Sequence, residues 1–266
     1  AIVLAVAFIL GICIPFGILY LLQMTRSKVG ARKDVETITT KPVVADIPLS
    51  SSTESIEEAM RALRANILLN MKPGEKVIHV TSGTTGEGKT FCAANIAKSL
   101  ALLGKKVIAV DTDMRKPALA AQMGVTGSNN GLSAILAKNI ITESDVTAAI
   151  IASRDNTTAD VLPSGSVPTN AADLVACGKI AEVVDILKDK YDFVIIDSTS
   201  LDNDADAIYI NKVADSTLYI VRADMTKKKD VEAIDKLTEE GRLKNVNVAV
   251  NAIDMSMKKY KYQYGK

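Results

Sequence analysis

Residues 83–90 read Gly-Thr-Thr-Gly-Glu-Gly-Lys-Thr, and this octapeptide restricts the possible folds more than any other stretch of the chain. It satisfies the spacing G-x-x-x-x-G-K-[ST] at every defined position. An apolar run at 77–81 precedes it, and an amphipathic pattern at 90–103 comes after it. The glycines let successive backbone N–H groups turn inward as a nest for an anion, backed by the positive end of the next helix. A strand, such a loop and then a helix make a Walker A cradle for nucleotide phosphates. Lys89 is expected to reach the β- and γ-phosphates and the Thr90 hydroxyl to ligate Mg²⁺. Gly83, Thr84, Thr85, Gly86, Glu87, Gly88 and the adjoining Phe91 complete the expected ATP-binding set.

Further runs rich in valine and isoleucine fall at 107–110, 193–196, 217–221 and 246–250, separated by helical patterns. Nearly continuous apolar character means strands buried on both faces, as in parallel sheets covered by helices. The expected fold class is therefore α/β, a P-loop NTPase-type, mostly parallel sheet with helices on both faces. Asp111 and Asp113 stand at the end of one of these runs, and Asp197 at the end of another. The carboxyl ends of strands form the ligand crevice of open α/β sheets. Aspartates there hold Mg²⁺ directly or through water, or else cap the next helix.

With 266 residues, 48% of them hydrophobic, the chain suits one large domain. A net charge of +1 gives no case for nucleic-acid binding. Three cysteines and one histidine argue against a disulfide framework or an imidazole metal site, and Cys92 and His79 read as packing residues. Residues 1–22 carry no charge, while Arg26, Lys28, Arg32 and Lys33 come directly after them. Such a run has the length of a transmembrane helix, and the basic flank places the rest of the chain in the cytoplasm. The expected organisation is a transmembrane helix over 1–23, a cytoplasmic linker over 24–52, a P-loop domain over 53–255 and a mobile tail over 256–266. Ser55-Ile-Glu-Glu58 has the form of a capping box opening a helix to about Asn70, which Pro73-Gly74 stops.

Four features resemble the bacterial tyrosine kinases of the polysaccharide co-polymerase type. Asp111-Thr-Asp113-Met-Arg115-Lys-Pro117 is similar to the family's Walker A′ motif, and Glu58-Ala-Met-Arg61-Ala-Leu-Arg64 to its E-x-x-R-x-x-R motif. Leu162-Pro-Ser-Gly165 with Pro168-Thr-Asn170 resembles the segment between Walker A′ and Walker B, and Tyr260, Tyr262 and Tyr264 form a terminal cluster. The likeness covers about residues 50–266, closest to the form fused to its membrane segment. One departure is Asp197-Ser-Thr-Ser200, where the family usually has proline or alanine soon after the aspartate.

The resemblance implies transfer of the γ-phosphoryl group of ATP to tyrosine. It implies Lys89 and Arg115 in catalysis, Asp111 as proton acceptor, and Thr90, Asp113 and Asp197 around Mg²⁺. Glu58, Arg61 and Arg64 would join subunits in a ring, although Glu57 and Arg61 also have the spacing of an ordinary intrahelical pair. The three tail tyrosines would be phosphorylated in trans. Asn251 resembles the adenine-reading asparagine of related ATPases, and otherwise reads as a residue ending a strand. Implied partners are other copies of the chain, the inner membrane, the polysaccharide export machinery and a cognate tyrosine phosphatase. A rival is a nucleotide-switched assembly ATPase of the ParA/MinD kind. That group carries an extra lysine where Thr84 stands here.

Overall fold

The structure, a computed structural model, describes residues 11–18, 27–50, 52–153, 158–202 and 205–256. Among the described residues seven strands form one sheet: β1 (Val43–Pro48), β2 (Val77–Ser82), β3 (Val107–Asp111), β4 (Asp160–Leu162), β5 (Phe193–Asp197), β6 (Ser216–Arg222) and β7 (Val246–Ile253). Their order is β1-β7-β6-β2-β5-β3-β4, and every pairing is parallel. Strand β2, which feeds the glycine loop, is therefore flanked by β6 and β5.

Residues 11–18 are helical (α1) and exposed. The remaining helices are α2 (Arg32–Glu36), α3 (Thr53–Asn70), α4 (Lys89–Ala101), α5 (Leu119–Gln122), α6 (Leu132–Leu136), α7 (Glu143–Ala149), α8 (Ala171–Ala176), α9 (Ile180–Lys190), α10 (Asp206–Asn211) and α11 (Lys228–Glu239). Successive strand residues point to opposite faces, and the core divides accordingly. Ile78 and Val80, Val107 and Ala109, Ile195, and Leu218 and Ile220 join a cluster with Met60, Leu63 and Ile67 of α3 and Cys92, Ile96 and Leu100 of α4. Val77, Ile108, Val110, Val194 and Ile196 pack on the other side with Ile135, Val146, Val175, Val183 and Leu187. There Tyr219, Val221, Val248 and Val250 meet Val231 and Ile234 of α11. Strands covered on both faces produce the continuous apolar runs of the sequence.

Two expectations need correction. The 24–52 segment is not simply a linker, because Val43–Pro48 joins the sheet as an edge strand beside β7. Val43, Val44, Ala45 and Ile47 are buried, whereas Asp46 and Pro48 interrupt the apolar pattern that announces a strand. Nearer its start, residues 27–29 lie along the loop after β6, with Val29 N–H donating to Thr226 O (2.8 Å) and Asp224 N–H donating to Val29 O (2.7 Å). Helix α3 begins at Thr53 with Ser52 as cap, so Ser55 is inside the helix and the expected capping box is not its start.

Among the described residues no helix is long and apolar enough to cross a membrane. Apart from residues 11–18, the expected span over 1–23 lies outside the described residues. So do Tyr260, Tyr262 and Tyr264.

Candidate active site

The glycine loop leaves β2 at Ser82 and enters α4 at Lys89. Gly86 (φ +90°) and Gly88 (φ +96°) adopt left-handed backbone, which glycine enters without steric cost. A Cβ on Gly88 would stand 2.2 Å from Asn251 Nδ2. That amide donates to Glu87 O (2.9 Å), while Asn251 Oδ1 accepts the Ala252 N–H (2.8 Å). Asn251, near the end of β7, thus lies against the loop and steadies its backbone. The Glu87 side chain is wholly buried: its carboxylate accepts the Thr84 N–H (2.9 Å) and the Thr226 hydroxyl. Arg222, at the end of β6, donates to Gly86 O (3.1 Å). Phe91 is half-buried on the first turn of α4.

Asp111 and Asp197 are register neighbours where β3 and β5 end, and each is 1% exposed. Asp111 Oδ1 accepts the Asp113 N–H (3.1 Å), and its Oδ2 accepts those of Ala118 and Leu119 (3.2 Å each). It therefore braces the turn into α5, which is the capping reading of a strand-end aspartate. Asp113 is more open, accepting the N–H groups of Arg115 (3.2 Å) and Lys116 (2.9 Å). Arg115 makes an ion pair with Asp206 of α10 (3.3 Å).

Burial, with the charge of Asp111 as the next cause, pushes the Asp197 carboxyl up to about 8, against the Thr90 hydrogen bond and Lys89 that favour its charged form. Burial likewise pushes Asp111 up to about 7, with the Leu119 hydrogen bond opposing and the Asp113 charge adding. Two adjacent buried carboxyls resist ionising together unless positive charge compensates them. Among the described residues Asp197 Oδ1 is buried without a hydrogen-bond partner. Among the described residues no three His, Cys, Asp or Glu side chains surround a metal position. The hard oxygens of Thr90, Asp113 and Asp197 instead suit a divalent ion that keeps much of its water and shares phosphate ligands.

The segment after Asp197 is held along the loop. Ser198 N–H donates to Val80 O (3.2 Å), Thr81 Oγ1 to Thr199 O (3.0 Å), Leu201 N–H to Ser82 O (2.9 Å) and Asp202 N–H to Gly83 O (3.0 Å). Ser200 Oγ lies 3.1 Å from Thr85 Oγ1 inside the loop. His79 is more than a packing residue here. Asn211 Nδ2 donates to its Nδ1 (2.9 Å), which leaves Nε2–H to donate to Ser198 Oγ (2.6 Å). No motif spacing flags Ser198, Ser200, Arg222 or Thr226, because they reach the loop only through strand neighbours.

The residues expected at a subunit interface lie on α3. Glu58 and Arg61 are exposed. Arg64 is half-buried and donates within its own chain to Ser99 O (2.5 Å) and Ser99 Oγ (3.2 Å), in the last turn of α4. Cations favour that end of a helix.

Residues 75–253 match the family model described as an AAA domain. Tyrosine-protein kinase YwqD of Bacillus subtilis is 33% identical over 172 residues, covering 64% of this chain and 70% of that protein. This chain belongs to the bacterial tyrosine-protein kinase family of capsule polysaccharide systems. Tyrosine-protein kinase CpsD of Streptococcus agalactiae serotype III is another relative of this kinase domain, 28% identical over 209 residues, or 77% of this chain and 85% of that protein. The crystal structure of the chimeric protein CapA2B2 superposes with a TM-score of 0.73 at 29% identity, covering 84% of this chain and all of that one. The kinase domain here is built on the glycine loop and the paired strand ends.

Proposed function

We propose that the chain transfers the γ-phosphoryl group of ATP to tyrosine hydroxyls, those of its own Tyr260, Tyr262 and Tyr264 in a neighbouring copy included. The carrying observation is the meeting of Lys89 and Thr90 with the buried, paired Asp111 and Asp197. The loop amides and Lys89 bind the nucleotide phosphates, with Arg115 as a further cation for the reaction. As the tyrosine oxygen bonds to phosphorus, the bond to the β,γ-bridging oxygen breaks and ADP departs with its electron pair. The phenolic proton passes to Asp111. Positioning and charge neutralisation carry most of such a reaction. A magnesium ion held by Thr90, Asp113 and Asp197 would supply part of the neutralising charge. Asn251 and Phe91 border the loop where the nucleoside would lie.

The kinase domain is assigned to the cytoplasmic face of the inner membrane, in a ring built through α3 with Glu58 and Arg61 outward. Its context is capsule or exopolysaccharide export, with a phosphatase resetting the tail. The test traces labelled ATP in wild type and in Lys89→Met. Label on tyrosine in the wild type alone supports the proposal. Label released only as free phosphate favours an assembly ATPase and overturns it, as does undiminished tyrosine labelling in Lys89→Met.

A further inference from the structure

A cleft of about 240 Å³ opens at the carboxyl ends of β3 and β4, with Asp111 in its lining. Its lining includes Asp111, Pro117, Ala118, Ala121, Pro163 and Ser164. Ser164 is 1% exposed, yet among the described residues its hydroxyl oxygen has no hydrogen-bond partner. An unpaired buried hydroxyl is costly and calls for a reason.

Both walls are rigid. Leu132 N–H donates to Pro163 O and Ser133 N–H to Ser164 O (2.8 Å each). A Cβ on Gly131 would fall 2.4 Å from both Gly165 N and Pro163 O, so only glycine permits this approach. The opposite wall is tied to Asp111 through the Ala118 and Leu119 amides. The carboxylate and that wall therefore form one unit.

We propose that this cleft seats the acceptor phenol, with Ser164 as the positioning residue that hydrogen-bonds its oxygen. The inference rests on the tyrosine-transfer reading above and names the acceptor's site within it. Tyrosine has an apolar body and a polar tip. Small side chains and two prolines offer room and apolar surface for the ring, while Ser164 and Asp111 are the polar groups for the tip. The Ser164 hydroxyl donates to one phenol lone pair, the phenol O–H turns to Asp111, and the second lone pair stays free to attack phosphorus.

The experiment uses a chain whose three tail tyrosines are phenylalanine and a synthetic peptide of residues 257–266 as acceptor. Ala121→Trp, at an exposed position of α5, fills the cleft, and Ser164→Ala removes only the hydroxyl. Ser164→Ala should raise the peptide KM roughly three- to tenfold, the range of one lost hydrogen bond. Ala121→Trp should raise it further, with nucleotide affinity measured in parallel to establish that the loop is intact. An unchanged peptide KM in Ser164→Ala overturns the proposal even if Ala121→Trp fails to fold. If the wild-type loop delivers no phosphate to the peptide, the transfer reading itself fails and the cleft assignment falls with it.

Discussion

Replacing Gly88 by alanine strains the phosphate loop in two separable ways. The residue sits at φ +96°, ψ 26°, and left-handed backbone costs an L-residue about 1–2 kcal/mol. The new Cβ would also stand 2.2 Å from Asn251 Nδ2 and 3.4 Å from its Cγ. The buried Asn251 amide must then swing away and release Glu87 O, a loss of about 1–3 kcal/mol where the carbonyl is left unpaired. Together these give a destabilisation of about 2–5 kcal/mol, read from urea unfolding without nucleotide. In an Asn251→Ala background the obstruction is gone, and Gly88→Ala should cost only the backbone share of about 1–2 kcal/mol. The double-mutant cycle therefore predicts a coupling of about 1–3 kcal/mol. Equal costs in the two backgrounds would refute the claim that Asn251 braces this glycine.

His79 is the sole histidine, and burial depresses it from 6.5 to about 3. Above pH 6.5 it is neutral folded or unfolded. Below that, only the unfolded chain takes up the proton, so stability falls by up to about 1.4 kcal/mol per pH unit. Asp111 and Asp197, raised by burial, act with opposite sign across pH 4–7. The slope should therefore be compared between wild type and His79→Gln, in which the carboxyl contribution is common. Identical slopes over pH 5–6.5 would contradict the reading. Arg64→Ala should destabilise the dilute monomer by about 1 kcal/mol through its lost bonds to Ser99, and the exposed Arg61→Ala by under about 0.5 kcal/mol, both by chemical denaturation. Equal, negligible costs would assign Arg64 to the subunit interface alone.

The central strands were legible because burial on both faces leaves no polar residue to interrupt Val107–Asp111 or Phe193–Asp197. The glycine loop was legible because its chemistry is local, needing glycines at fixed offsets and one lysine. Edge strands were not. β1 carries Asp46 and Pro48, and β4 has only three residues. Pairing with β7 or β3 makes them strands, and such partners are invisible to a window of sequence. The same holds within the site. Lys89, Thr90 and the three aspartates obey motif spacing, whereas Arg222 and Thr226 reach Gly86 and Glu87 across more than a hundred residues. His79 looked like packing because its partners, Ser198 and Asn211, are equally remote.

The strand order gives those remote contacts a common cause. Because β2 lies between β6 and β5, the loop leaving it has a neighbouring segment on each side. From the β6 side Arg222 and Thr226 fix the loop's middle at Gly86 and Glu87. From the β5 side residues 198–202 continue the strand pairing past Asp197, as far as Gly83 O. That continuation requires a backbone N–H at 198 for Val80 O, which proline at this position would lack. The Ser-Thr-Ser run is therefore compatible with a rigid crevice. Its hydroxyls bond His79 and Thr85, and its backbone holds β5 and the glycine loop in one register. Amides fixed in this way need no reorganisation to meet a phosphate, which is the condition under which oriented dipoles are most effective.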